Sequence, residues 1–372
     1  MTDALSLTEA MIAMHETEGV GWKTIDRIVR GGGVEGAQNR READWREFGL
    51  YPKQAAKLVE RLRPEAVDIA RRKRARAGMS AVTALEPDYP RLLLEIADPP
   101  WVLYYIGRLE LANRLAVAVV GTRMATAYGR RVAEDIAAAC ARSGLTVVSG
   151  LAKGIDAAAH SGALPHPAGT VAVLATPADT PYPYENRALY RDIARRGLIL
   201  SETPQGTPLH PGQFPLRNRI IAGLTIGTVV VEAAQRSGAM ITADLALKMN
   251  REVFVVPGPI TSPRSQGPLS LLRTGAKPVM EVEDILKEFP YLFPNEAGHR
   301  AAELAVQAQA RELASGERKL YDLLAERPRT VDELAEEGAL EVGELHAALL
   351  SLQIKRIVEQ RPGAVYAVIG VL

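Results

Sequence analysis

The chain has 372 residues, 47% hydrophobic and 24% charged, the composition of a globular protein of two or three domains. A formal net charge of +1 gives no global excess of either sign, so any site for a polyanion has to be a local cluster. A single cysteine, Cys140, excludes an internal disulfide framework and fits a reducing cytoplasm, and no apolar run approaches the roughly 20 residues of a membrane span. The start, MTDALSLTEAMIAMHETEG, has no basic stretch ahead of an apolar core, which argues against a secretory signal. A cytoplasmic chain with no membrane partner is expected.

In residues 1–78, apolar positions recur at helical spacing on both sides of Gly19-Val20-Gly21. Two helices joined by a Gly-x-Gly turn have the pattern of a helix-hairpin-helix. In that motif the glycines let backbone N–H groups approach a phosphate ahead of a helix N-terminus. A small helical domain with a tight turn accounts for the pattern equally well. The basic run RRKRARAG, residues 71–78, reads as a solvated face.

From 79 to 295, β-rich apolar runs alternate with helical patterns: LAVAVVG (115–121), LTVVSG (145–150), TVAVLA (170–175), LILSE (198–202), GTVVVEAA (227–234) and EVFVVPG (252–258). Near-continuous Val/Ile/Leu strands followed by helices describe a parallel sheet covered on both faces. The expected fold class is α/β, an extended Rossmann-like, doubly wound sheet whose ligands lie at the carboxyl ends of the strands. A polar, Pro- and Ala-rich connection (290–314) leads to residues 315–372. There, three helical segments precede two short strands around Arg361-Pro362-Gly363, a winged-helix-like domain.

The strand ends carry the chemistry. GTRMATAYG lacks the G-x-G-x-x-G fingerprint, so no nicotinamide or flavin cofactor is implied. It offers Gly121 for close backbone approach, Thr122 as a hydroxyl donor and Arg123 as a planar cationic fork, a set suited to a phosphate oxygen. SGLAKGIDAAAH places Ser149 and Gly150 at a strand end, Lys153 in the turn and Asp156 as a helix cap. Ser149, Asp156 and His160 invite a hydrolase triad. The strained G-x-S-x-G elbow is missing, however, and an Asp with a His four residues on is ordinary helix packing, so no catalytic residue is assigned. Six histidines without H-x-x-x-H or Cys/His spacing give no metal site.

TPADTPYPYENRALY presents Tyr182, Tyr184 and Asn186, able to stack on or bond to a base, although packing is the commoner use of loop aromatics. FPLRNRIIAGL places Phe214 just outside a helix, with Arg217, Asn218 and Arg219 in its first turn. EAAQRSGAMITA puts Ser237 and Gly238 at a helix start and Thr242 one turn later, an anion-binding arrangement. Arg123, Lys153, Arg217, Arg219 and the Ser237-Gly238 turn then point at one crevice. A core has no use for that much positive charge, and a polyanion does. Phe214 supplies the stacking platform that single-stranded nucleic acid needs. Arg219, deepest in the helix, has a second reading as the partner of a buried acid such as Glu232.

These segments, together with DYPRLLLEIADPPWVLYYIG (88–107) and REVFVVPGPI, stand in the order of the DNA-processing protein A (DprA, or Smf) family of natural transformation, which the chain resembles over most of residues 80 to 290. The resemblance implies a non-enzymatic protein that binds single-stranded DNA, protects incoming DNA, forms a homodimer through the Rossmann domain and helps load the RecA recombinase. The family's binding roles fall on Arg123, Lys153, Phe214, Arg217, Asn218 and Arg219. Two segments depart from the family pattern: ATPADTPYP replaces a Gly-Thr-Gly-type turn, and Leu269 stands where an Asn is usual.

Two rival readings remain. Nucleotide phosphoribohydrolases of the lysine-decarboxylase-like group share the sheet type and carry P-G-G-x-G-T-x-x-E, of which SGAMITAD keeps one glycine, with Asp244 near the acid's position. A winged-helix transcriptional regulator is opposed by EVGELHAALL, where Glu341 and Glu344 would face phosphates.

Overall fold

The computed structural model describes residues 5–290, 292, 313, 315–338, 342–355, 357–361 and 365–368. Five helices come first: α1 (Leu7–His15), α2 (Trp22–Arg30), α3 (Glu42–Glu47), α4 (Pro52–Arg61) and α5 (Pro64–Arg76). Ser6 caps α1 by accepting the Glu9 N–H at 3.2 Å, and prolines open α4 and α5, where no amide donor is needed. Gly19, at φ +84°, makes the α1–α2 turn in a conformation that disfavours side chains. Arg74 of α5 is buried and reaches Glu9 (2.9 Å) and Glu16 (3.1 Å), pinning α5 to α1.

Nine strands form one sheet: β1 (Ser80–Thr83), β2 (Val102–Gly107), β3 (Ala116–Val120), β4 (Thr146–Ser149), β5 (Thr170–Leu174), β6 (Leu198–Ser201), β7 (Gly227–Val230), β8 (Glu252–Val255) and β9 (Lys277–Pro278). Their order is β1-β2-β6-β5-β4-β3-β7-β8-β9. The seven from β6 to β9 in that order are parallel, and β2 and β1 continue the sheet antiparallel. Every residue of β3 to β7 is buried, which is why these strands are mostly apolar instead of alternating; the hydroxyls of Thr146, Ser149, Thr170 and Ser201 donate to backbone carbonyls. β1 and β2 stand outside the strand-and-helix alternation of the parallel part, pairing antiparallel beyond β6, and the sequence pattern misses them.

The covering helices are α6 (Ala127–Arg142), α7 (Ile155–Ala163), α8 (Arg187–Arg196), α9 (Gln213–Gly223), α10 (Gly238–Lys248) and α11 (Gln266–Arg273). The N-terminal helices share a core with the sheet, where Met11, Met14 and Leu58 cluster with Tyr104, Ala172 and Ile199. His15 Nδ1 lies 3.1 Å from the Tyr104 hydroxyl. The chain winds from β3 out to β6 and returns to β7 on the other side of β3. That reversal opens the crevice at the carboxyl ends.

A second compact unit, Ile285–Leu372, holds α12 (Ser315–Glu326), β10 (Arg329–Thr330), α13 (Val331–Gly338), α14 (Val342–Ile354), β11 (Val358–Arg361) and β12 (Val365–Val368). Its antiparallel sheet runs β10-β12-β11 over a core of Leu320, Leu334, Leu349 and Leu352, a winged-helix arrangement. The expected turn at Pro362-Gly363 and most of the expected 290–314 connection lie outside the described residues. Helix α14 exposes Glu344, Leu350 and Ile354, an unsuitable face for reading phosphates.

Candidate nucleic-acid interface

The turn after β4 is held by four side chains. Asp156, in the first turn of α7, accepts the N–H groups of Gly150 (3.1 Å) and Ala152 (3.3 Å), so it caps the turn and not its own helix. Leu151 stands at φ 55°, a strained conformation for a branched side chain. Its N–H donates to His160 Nε2 (3.3 Å) and its carbonyl accepts from Asn186 Nδ2 (2.8 Å). His160 Nδ1 lies 2.7 Å from Thr170 Oγ1, whose own proton goes to the Val147 carbonyl, which fixes the tautomer. Burial, reinforced by Arg217, lowers the His160 pKa to about 3 and keeps the ring neutral.

The fourth side chain is Arg217. Its Nη1 donates to the carbonyls of Gly150 (2.8 Å) and Val173, and its Nε to Asn218 Oδ1 (3.3 Å). Gly150 has no Cβ to exclude the guanidinium. Burial lowers the Arg217 pKa to about 10, with Asp156 opposing the shift, and the group stays cationic at neutral pH. A buried cation held by carbonyls instead of a carboxylate projects its field into the space above.

That space is a cavity of about 260 Å³. Arg123, Lys153 and Arg217 line it, with Phe214, Tyr182, Pro183 and Thr176, and no acidic residue is among its lining. Phe214 has two ring neighbours: the Arg123 guanidinium 5.1 Å from its ring centre, and the Tyr182 ring at 5.6 Å, tilted 48°. Lys153 pairs at 2.5 Å with Glu185, both side chains more than half exposed.

The family model for DNA recombination-mediator protein A matches residues 80–290. The chain belongs to the DprA/Smf family. A second model, the DprA winged helix domain, matches residues 305–364. Protein Smf of Synechocystis is 36% identical over 384 residues, covering 95% of this chain and 89% of that protein. Among solved structures, DprA of Streptococcus pneumoniae aligns with TM-score 0.68 at 34% identity, covering 77% of this chain and 99% of that one. DprA of Helicobacter pylori, described by its single-stranded DNA binding mode, aligns with TM-score 0.53 at 30% identity, covering 58% of this chain and 97% of its own.

Within this DprA-family chain the sequence-predicted residues separate. Arg123, Gly150, Lys153, Phe214 and Arg217 meet at the cavity. Gly121 and Thr122 do not line it. A Cβ on Gly121 would stand 2.5 Å from Ile155, and the Thr122 N–H donates to the Glu232 carbonyl (2.7 Å). Ser149 is fully buried and its Oγ donates to the Val119 carbonyl (2.7 Å), out of reach of any triad role. Asn218 Nδ2 donates to the Gly238 carbonyl (3.3 Å), as does Thr242 Oγ1 (3.2 Å), so both tie the start of α10. Ser237 caps α10 by position only, its Oγ having no hydrogen-bond partner among the described residues, and lies outside the cavity wall with Gly238.

Helix α9 starts at Gln213, earlier than expected, because Pro215 occupies a first turn where no amide donor is required. Phe214 is therefore inside the helix, and Arg217, Asn218 and Arg219 fall in its second turn. Arg219 pairs with Glu202 (2.6 Å) and Asp98 (3.4 Å), which corrects the expected partner, Glu232. The Glu232 carboxylate instead takes Thr126, accepting its N–H (2.9 Å) and hydroxyl (2.6 Å) at the start of α6. Sequence reasoning missed Thr176 and Pro183 as cavity walls, since neither bears a charge or a motif.

Proposed function

We propose that the cavity binds single-stranded DNA, its backbone against Arg123, Lys153 and Arg217 and one base against Phe214, and that the chain handles incoming DNA in natural transformation. The observation that carries this reading is the set of three cations, with no acid in the lining, around one aromatic-walled cavity. A phosphate can displace Glu185 from Lys153 at little cost, because an exposed pair is worth about 0–1 kcal/mol. A duplex keeps its base faces stacked and offers none to Phe214, which favours single strands with little sequence preference. That Ser149 bonds to β3 while Asp156 and His160 hold the β4 turn supports binding without turnover. Arg219 and Asn218 support the site, holding Glu202 and the start of α10.

Protection of DNA, RecA loading and a homodimer complete the reading. The apolar side chains Ile241, Leu247, Ile260 and Met280, all exposed, support self-association through the Rossmann domain, which equilibrium sedimentation tests. The central test is anisotropy of labelled single- and double-stranded oligonucleotides across a salt series. Phe214→Ala should cost about 1–3 kcal/mol, roughly 5- to 140-fold in Kd, with the salt slope unchanged. Equal affinity for duplex, or wild-type binding by a folded Phe214→Ala variant, would sink the proposal.

A further inference from the structure

Two features read from the sequence stand unused by the cavity: the Gly19-Val20-Gly21 turn and the basic run of α5. The fold brings them to one place. A second cavity, about 590 Å³, lies between the N-terminal helices and the loop after β6. Gly19, Arg61, Lys73 and Arg74 line it from the helical side, and residues 204–208 from the other. The Lys73 ammonium sits 3.8 Å from where a Cβ on Gly206 would be.

Its charges do not cancel. Glu16 is taken up by Arg74 (3.1 Å) and Arg61 (3.9 Å), and Glu18 by Lys57 (2.5 Å). Lys73, in the lining, and Arg76, one helical turn further along α5 and beyond the lining, are exposed and have no carboxylate partner among the described residues. This cavity also adjoins the first. Ala175 and Thr176 wall the first cavity, and their carbonyls accept from Thr203 Oγ1 (2.9 Å) and Ser201 Oγ (2.7 Å). Pro204, the next residue, begins the wall of the second.

We infer that the second cavity continues the DNA path: a single strand leaving the Phe214 cavity crosses the 204–208 loop and lays its phosphates against Lys73 and Arg76. The inference rests on the single-strand reading of the first cavity. It gives the N-terminal helices a binding role, as a length-dependent extension of the site.

The test uses the full chain, with oligothymidylates of about 5 and about 15 nucleotides measured by anisotropy over a salt series. A Lys73→Ala/Arg76→Ala variant should lose most of the affinity gained on lengthening, at least about tenfold. Its salt slope on the longer strand should be shallower by about 0.7 for each lost phosphate contact. Wild-type affinity and slope on the longer strand would overturn the inference. Photo-cross-linking of 5-iodouracil strands to the unmutated protein gives a second readout. Adducts on residues 204–208 or α5 are expected, and adducts confined to the peptides of Tyr182 and Phe214 would overturn it. Failure of the first cavity shows differently, as wild-type binding of both lengths by Phe214→Ala and Arg123→Ala.

Discussion

Gly150→Ala should unseat Arg217. A Cβ at residue 150 would stand 2.5 Å from Nη2 and 2.7 Å from Cζ and Nη1 of the guanidinium, against roughly 3.5 Å for an unstrained contact. The guanidinium cannot step back without loss, because Nη1 spans the carbonyls of Gly150 and Val173 and Nε holds Asn218. Each hydrogen bond from a charged donor contributes about 1.5–3 kcal/mol, so losing two costs about 3–6 kcal/mol. In thermal unfolding this lowers the midpoint by roughly 6 °C or more for a unit of this size. The same substitution in an Arg217→Met background should cost less than about 1 kcal/mol, since a flexible thioether yields to the new methyl. Two results would refute the reasoning: a wild-type midpoint for Gly150→Ala, or the full cost persisting without the guanidinium.

Arg219→Met should destabilise by up to about 3 kcal/mol, because it strands Glu202, whose side chain is only a quarter exposed, and should leave the salt slope of DNA binding unaltered. A shallower slope at wild-type stability would return Arg219 to the DNA. Glu185→Gln frees Lys153 and should tighten single-strand binding by up to about fivefold; unchanged or weaker binding counts against Lys153 as a phosphate contact. Burial lowers His160 to about 3 and His15 to about 4, from 6.5. Between pH 6.5 and those values the unfolded chain takes up protons that the folded chain refuses, so stability is full above 6.5 and falls on acidification. At pH 5 each histidine contributes about 2 kcal/mol of that loss. Urea midpoints at pH 7 and 5, compared with a His15→Gln/His160→Gln variant, isolate this from Asp156 and Glu202, whose burial-raised pKa works the other way. Equal pH dependence in variant and wild type would contradict it.

The sequence alone determined the parallel sheet and its ligand edge. Strands buried on both faces read as nearly continuous apolar runs, and LAVAVVG or TVAVLA says so without any partner being known. It also marked the turns that carry Arg123, Lys153 and Phe214, because charge and glycine at strand ends are local signals. What each cation faces was decided only by tertiary structure. Arg217 and Arg219 are two residues apart on one helix, with the same chemistry and the same burial. One turns to two carbonyls under the cavity and the other to Glu202 and Asp98, supplied by the end of β6 and the loop before β2. The same limit hid that Gly19 and Lys73 line one cavity, and the role of His160 in holding Leu151 in its strained turn. Periodicity reports which face of an element is buried. The distances between elements come from packing, and only distance separates an arginine that holds a fold from one that faces a ligand.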